Sequence, residues 1–279
     1  MPRLIHLSDL HFGAHDPRLV EAIGARIDEE KPDLVVISGD FTQRARTEEF
    51  KEACRFLTRL KDAGHEVLGV PGNHDVPLYD VLRRFLSPLT RYKRYIDDEL
   101  CPYHELDGAV VLGINTARSL TFSDGRISHE QMAFIRRTFE RAGDVSRILV
   151  THHPLFALPV GSEVANAVGR SEMALDAIAE AGVDMLLAGH NHRSSTHSAR
   201  DLATRAGPAL VIQAGTATST RLRDEEQSFN RVDIAGDRVT LTVQSWDGQG
   251  FVSRDAQSYA QDGDHWRLAK RPVVAETTD

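Results

Sequence analysis

Cysteine is scarce in this chain: Cys54 and Cys101 are the only two among 279 residues, so no disulfide framework holds the fold together. Long apolar runs are also missing. No stretch is long enough to cross a bilayer, and Met1-Pro2-Arg3 leads straight into a strand-like run, without an apolar leader ahead of a cleavage site. The expectation is therefore a soluble protein of the cytoplasm with no membrane span. Basic residues are outnumbered, 33 Lys and Arg against 41 Asp and Glu, and the formal net charge of −8 argues against a nucleic-acid surface. Internal repeats and low-complexity tracts are absent as well. What remains is an ordinary globular composition, 41% hydrophobic and 27% charged, in a chain long enough to bury a large core.

Short apolar runs closed by Gly or turn residues read as buried strands, and several of these end on residues that bind metals. Leu4-Ile5-His6-Leu7 precedes Asp9-Leu10-His11, and Leu34-Val35-Val36-Ile37 precedes Gly39-Asp40. Val67-Leu68-Gly69-Val70 leads to Gly72-Asn73-His74-Asp75, Ile148-Leu149-Val150 to Thr151-His152-His153, and Met185-Leu186-Leu187-Ala188 to Gly189-His190-Asn191-His192. The expected result is delivery of these groups to one edge of one sheet, where open α/β sheets place their sites. Asp9 and His11, like His190 and His192, are two apart, so that on a strand their side chains leave the same face. Any one block alone is weak, because Gly-Asp is common turn chemistry. All five in order are a strong joint signal.

Between the strands lie helical stripes over Pro17 to Glu30, Thr47 to Ala63, Ser128 to Ala142 (opened by the capping box Ser128-His129-Glu130-Gln131) and Ser171 to Ala181. Beyond His192, Ala209 to Ala214, Phe229 to Ile234 and Val239 to Ser245 read as strands, with a hairpin turn at Ala235-Gly236-Asp237. Alternating strands and helices followed by adjacent strands suggest a four-layer α/β/β/α sandwich, two β-sheets face to face with helices outside. The main domain is expected over residues 1–245, with 76–105 a candidate cap insertion. Residues 246–279, polar and weakly periodic, are expected as a C-terminal extension or tail.

Imidazole with carboxylate favours first-row transition metals over Ca or Mg, so the cofactor expected is a pair of divalent or trivalent ions of Mn, Fe, Zn or Co. Two such cations about 3.5–4 Å apart can generate hydroxide, hold a phosphoryl group and stabilise in-line displacement. His74, beside a ligand but with its own ring free, could protonate the leaving oxygen.

The five blocks resemble the calcineurin-like metallophosphoesterases, whose pattern is D-x-H, G-D, G-N-H-(D/E), H and G-H-x-H, and the match from Asp9 to His192 covers about two-thirds of the chain. The resemblance implies a double β-sandwich of mixed sheets. It further implies one ion held by Asp9, His11, Asp40 and His192, and another by Asp40, Asn73, His152 and His190, with Asp40 bridging and His74 as the acid or phosphate-contacting histidine. Phe41-Thr42-Gln43-Arg44 and Asp75 depart from the protein serine/threonine phosphatases, which carry Asp-Arg-Gly and Glu there. His190 with His192, and His152-His153-Pro154, resemble instead the bacterial cyclic-nucleotide and glycerophosphodiester phosphodiesterases.

The activity expected is hydrolysis of small-molecule phosphodiesters, cyclic nucleotides first. The runner-up is a pyrophosphatase of nucleotide-linked lipid precursors, of the kind that acts on a UDP-diacylglucosamine. From another class, the alternative is a non-catalytic scaffold, which the complete ligand set disfavours. A homodimer stays open. Arg91 and Arg94 in the candidate cap, and Asn115 after the strand ending at Ile114, are candidate substrate contacts. His15 is placed between substrate contact and solvated loop. His153 and Asp75 are read as supports of neighbouring ligands or as packing, and the loop Leu155 to Arg170 as an apolar or mobile wall.

Overall fold

Both faces of most strands are covered, so the short apolar runs need helices on one side and another sheet on the other. The computed structural model describes all residues except 122–123, 161–162, 166–167, 204–205, 221–224, 255 and 270–279. The chain opens with β1 (Arg3–Leu7), α1 (Pro17–Glu30), β2 (Leu34–Ile37), α2 (Thr47–Asp62) and β3 (Val67–Gly69). A single 3-10 turn at Asn73–Asp75 leads into two short helices, α3 (Val81–Leu86) and α4 (Thr90–Tyr95). A second series follows: β4 (Tyr103–Leu106), β5 (Ala109–Ile114), α5 (His129–Glu140), β6 (Ser146–Thr151), a small hairpin of β7 (Leu158–Val160) and β8 (Glu163–Ala165), α6 (Ser171–Glu180) and β9 (Met185–Ala188). The remainder is β10 (Ser195–Ser198), α7 (Ala199–Leu202), β11 (Leu210–Gln213), β12 (Ser228–Ala235), β13 (Arg238–Trp246), β14 (Phe251–Ser253), β15 (Gln257–Asp262) and β16 (His265–Leu268).

The strands form two mixed sheets. The first runs β16-β15-β13-β12-β1-β2-β3, with β14 also on β13; β1, β2 and β3 are parallel and the rest antiparallel. The second runs β10-β11-β9-β6-β5-β4, parallel in its four central strands and antiparallel at both edges. Alternation along each strand then builds four layers. Leu4, Leu34 and Val36 pack in one cluster with Val111, Ile148, Val150, Leu187 and Ile212 from the opposite sheet. Their neighbours Ile5, Leu7, Val35 and Ile37 face the other way, onto Ile23, Phe50 and Leu57 of α1 and α2. In the second sheet Leu112, Leu149 and Leu186 carry Ile135, Phe139 and Ile178 of α5 and α6.

Local chemistry sets the helix ends. Asp16 accepts the Arg18 backbone N–H ahead of Pro17. Ser128 and Gln131 exchange both bonds of the expected capping box. The candidate cap divides in two. Tyr92 of α4 is buried with the helices of the first sheet, its ring 5.7 Å from that of Phe41, whereas α3 stands out from the body.

The stretch after residue 246, read from the sequence as an extension or tail, continues the first sheet as β14, β15 and β16 through Leu268. Polarity hid these strands because they pair at the sheet's edge, where alternate residues meet solvent. Trp266 is the exception in composition. It is buried in the cluster between the sheets, and its indole N–H donates to the Pro208 carbonyl at 2.7 Å. Trp266→Ala is accordingly expected to cost about 3 kcal/mol or more, as large core truncations do. A urea titration checks this: a loss below about 0.5 kcal/mol, ordinary for surface positions, would make this segment a loosely held arm.

Candidate metal centre

The C-terminal ends of β1, β2 and β3 in one sheet, and of β6 and β9 in the other, meet at the same end of the sandwich. The one-sheet expectation is thereby corrected: three blocks come from the first sheet and two from the second. Strand-end blocks look alike in sequence whichever sheet the strand joins, so only packing separates them.

A second correction concerns the backbone. β1 stops at Leu7, and Asp9 and His11 do not continue its pleat. They take left-handed conformations with φ of 53° and 49°, as do Asp40 at 53°, His190 at 74° and His192 at 57°. Non-glycine residues pay about 1–3 kcal/mol for such geometry, and it persists only where the surroundings enforce it. Here Asp9 N–H donates to the Gly39 carbonyl at 3.1 Å and His11 N–H to the Asp40 carbonyl at 2.9 Å. The side chains converge because the loop coils, not because a strand alternates.

Two donor groups result. In one, His11 Nε2 lies 3.2 Å from His192 Nε2, and Asp9 Oδ1 lies 3.2 Å from His192 Nε2 and 3.6 Å from His11 Nε2. In the other, Asn73 Oδ1 lies 3.1 Å from both His152 Nε2 and His190 Nδ1. Asp40 Oδ2 stands between them, 3.4 Å from His152 Nε2 and 3.8 Å from His11 Nε2. Ligands at about 2.0–2.2 Å from a common ion, at tetrahedral or octahedral angles, sit roughly 3.0–3.5 Å from one another. The donor set therefore fits metal ions, and each sequence-derived ligand is in it.

Each carboxylate is divided in the same way. Asp9 Oδ2 accepts from Ser8 Oγ at 2.5 Å and from the His190 N–H at 3.0 Å, while its buried Oδ1 meets no hydrogen-bond donor among the described residues. Asp40 Oδ1 accepts the His74 N–H at 2.8 Å, leaving Oδ2 for the cluster. His152 Nδ1–H donates to the Ser38 carbonyl at 2.7 Å, which fixes its tautomer and turns Nε2 inward. An oxygen with no donor, deep in the protein, is costly unless a cation completes it.

Titration follows the same charge pattern. Burial alone would raise both carboxyls, yet the imidazoles of His192 and His11 hold Asp9 well below the ordinary range, and those of His152 and His74 do so for Asp40. Burial would lower His152, but Asp40 and Asp9 lift it to about 9. His190 is pushed down to about 4 by burial and by the charge on His152. Two buried carboxylates thus demand positive charge at this point.

The supports are residues the sequence reading left uncertain or passed over. Asp75 is buried and accepts the N–H groups of Phe41, Thr42 and Gly72 together with Thr42 Oγ1, which ties the Asn73 loop to the Asp40 loop. Burial and the neighbouring Asp40 charge push its carboxyl up to about 7. The Gly72 loop passes so close that a Cβ would lie 2.1 Å from Asp40 Oδ1. At Gly189 it would lie 1.8 Å from Ser8 Oγ. Thr216 Oγ1 donates to the Asp9 carbonyl at 2.9 Å, Thr218 Oγ1 to that of Leu10, and the Ala217 N–H to that of Ser8 at 3.1 Å. The period-two Thr216-Ala217-Thr218 after β11 was the available signal for this clasp.

Other expectations land elsewhere. His153 is buried with Nδ1 2.8 Å from Thr116 Oγ1 and its ring 4.8 Å from that of His190, and one of its ring nitrogens lies within 4.8 Å of donor nitrogens of His152 and His190. His15 is half-buried against Phe12, ring centroids 4.8 Å apart. Asn115 Oδ1 accepts the Ala117 N–H at 2.9 Å and so braces its own loop. Arg91 donates to the Ala45 carbonyl at 2.7 Å, and Arg94 is exposed, its guanidinium 5.4 Å from the centre of the Tyr95 ring. The loop from 155 to 170 carries the β7–β8 hairpin, and residues 161–162 and 166–167 of it lie outside the described residues.

The chain is 26% identical over 224 residues to the glycerophosphodiester phosphodiesterase GpdQ of Enterobacter lignolyticus, covering 75% of this chain and 78% of the relative. It is 25% identical over 264 residues to a probable cyclic nucleotide phosphodiesterase of Rhodococcus erythropolis, with coverage of 86% and 82%. In fold it is similar to a dimetal phosphatase from Danio rerio, with a TM-score of 0.63 at 13% identity over 91% of this chain and 99% of that one. The model of the calcineurin-like phosphoesterases matches residues 2–194, which takes in every donor described above, and the chain belongs to that family.

Proposed function

We propose that this protein is a metal-dependent phosphodiesterase of small molecules, with cyclic nucleotides as the first substrates to try and glycerophosphodiesters next. The observation that carries the reading is the pair of donor groups that share Asp40 Oδ2. Asp9, His11, Asp40 and His192 would hold one ion, and Asp40, Asn73, His152 and His190 the other. When bound, such a pair activates water and neutralises the charge that develops on a phosphoryl group. The names of the two curated relatives, one a glycerophosphodiester and one a cyclic nucleotide phosphodiesterase, support the substrate class. The imidazole–carboxylate donor set supports Mn, Fe, Zn or Co. Among the described residues no helix is long and apolar enough to cross a membrane.

His74 supplies the proton chemistry in this reading. Its Nδ1–H donates to the Gln43 carbonyl at 2.7 Å, and its ring stands edge-on to that of His11 with centroids 4.8 Å apart. Nε2 is then the nitrogen available to carry a proton to the leaving oxygen. Its backbone does separate work by holding Asp40 Oδ1.

The basic test of activity is hydrolysis of an aryl phosphodiester by reconstituted protein, followed by a panel of cyclic nucleotides and glycerophosphodiesters. No metal-stimulated hydrolysis of any of them would leave the scaffold alternative standing. Two variants probe the assignment. Asp40→Asn removes a charged donor shared by both groups and is expected to reduce metal content at both, whereas Asn73→Ala is expected to empty mainly one. Elemental analysis reads this directly, and equal losses in the two variants would remove Asp40 from its bridging role.

His74→Ala keeps the backbone bond to Asp40, so metal content is expected to stay near normal while kcat falls about 10²–10⁴-fold. The effect is expected to be largest on diesters with poor leaving groups. Unchanged turnover on such a substrate would remove His74 from the proton transfer.

A further inference from the structure

The match to the calcineurin-like phosphoesterases ends at residue 194, yet the candidate metal centre is braced from beyond it. Thr216, Ala217, Thr218 and Thr220 run along the loop that carries Asp9 and His11. The Ala217 N–H donates to the Ser8 carbonyl at 3.1 Å, and the Thr220 N–H to that of Ala14 at 2.9 Å. In the other direction the Asp16 N–H donates to the Thr218 carbonyl at 3.0 Å. Among these backbone bonds sit two made by side chains: Thr216 Oγ1 donates to the Asp9 carbonyl at 2.9 Å, and Thr218 Oγ1 to that of Leu10. All four of these residues are buried.

The two hydroxyls meet the loop where its backbone is strained. Asp9 at φ 53° and His11 at φ 49° flank Leu10, and left-handed residues of this kind persist only where their surroundings enforce them. Their N–H groups are spent on the Gly39 and Asp40 carbonyls, which pins the loop to β2's end. The hydroxyls pin its carbonyls. A buried carbonyl without a donor is costly, so deleting the Thr216 hydroxyl would favour turning the Asp9 peptide toward another partner. That turn would carry Asp9 Oδ1 away from its place 3.2 Å from His192 Nε2. Asn73, His152 and His190 lie on other loops and would keep their mutual spacing.

We propose that Thr216 and Thr218 are positioning residues of the metal centre, acting on one of its two donor groups. They bond main-chain carbonyls, not donor atoms, and set the affinity of the Asp9, His11 and His192 group by holding the backbone that aims it. The inference rests on the metal-centre reading given above.

The test is titration of the chelated full chain with Mn(II), followed by calorimetry and by elemental analysis after gel filtration. Thr216→Val deletes the hydroxyl at nearly constant volume. It is expected to weaken one ion about 10–100-fold, as lost partners of metal ligands do, and to leave the other within about three-fold of wild type. Thr216→Ser keeps the donor and is expected to restore both ions. In an Asn73→Ala background, where the remaining ion belongs to the Asp9 group, Thr216→Val is expected to remove that ion too. Thr218→Val, acting through Leu10, is expected to shift affinity in the same direction, and it carries the test should Thr216→Val unfold. Thr220→Val controls for general loosening of the segment. Thr220 is exposed and its hydroxyl donates to the Ala14 carbonyl at 2.9 Å, so metal affinity is expected to stay at the wild-type value. The thermal transition of each chelated protein separates unfolding from loss of metal. Two ions at wild-type affinity in both valine variants, no rescue by serine, or an equal loss in Thr220→Val would each overturn the inference. A wild type that takes up no metal would sink the metal-centre reading itself, and this inference with it.

Discussion

Asp40 must serve two donor groups with one buried carboxylate, and much of the surrounding structure meets that requirement. One oxygen is held by the His74 N–H, so the other can stand between His152 and His11. The residue is pinned in a left-handed conformation, the next strand's loop closes on it at Gly72 with no room for a Cβ, and Asp75 ties the two loops together. A buried charge of this kind would destabilise a protein that did not match it with positive charge. Metal affinity and fold stability therefore draw on the same few atoms.

The sandwich explains how such an arrangement is held. Each sheet alone would bring only part of the donor set to its edge: Asp9, His11, Asp40 and Asn73 from the first, His152, His190 and His192 from the second. Packing Leu4, Leu34 and Val36 against Val111, Ile148 and Leu187 sets the spacing between the halves with a rigid apolar layer. Direct bonds then cross the gap at the site itself, from His152 Nδ1 to the Ser38 carbonyl and from the His190 N–H to Asp9 Oδ2. The strain in five left-handed residues is distributed over these contacts, not over the ligands alone.

The region after Asn73 behaves differently from the rest. α4 is fastened by Tyr92 and by the bond from Arg91 to the Ala45 carbonyl, while α3 exposes an apolar face beside a basic run. Relatives that share a metal centre can differ in what they act on, and the difference must lie in elements of this kind.

The central strand ends of both sheets, the starts of α1 and α5 and the residues that meet at the candidate metal centre were legible in the sequence, because each depends on neighbours within a few positions. Asp16-Pro17 starts a helix, Ser128 to Gln131 caps another, and Leu34-Val35-Val36-Ile37 before Gly39-Asp40 is a buried strand with a donor at its end. Continuous apolar runs read as buried strands, and strand–helix alternation followed by adjacent strands pointed to four layers. Tertiary structure decided the rest. Nothing local shows that β3 and β6 belong to different sheets, that Asp9 and His11 converge through left-handed turns, or that Thr216 and Thr218 brace them from more than two hundred residues away. Arg91 and Arg84 look like a solvated basic run until packing turns them onto the carbonyls of Ala45, Pro77, Ser119 and Thr121. Trp266 shows the same limit at the far end of the chain, where a polar stretch conceals one anchor in the core. Local pattern specifies what a residue can do, and long-range packing specifies which partner it meets.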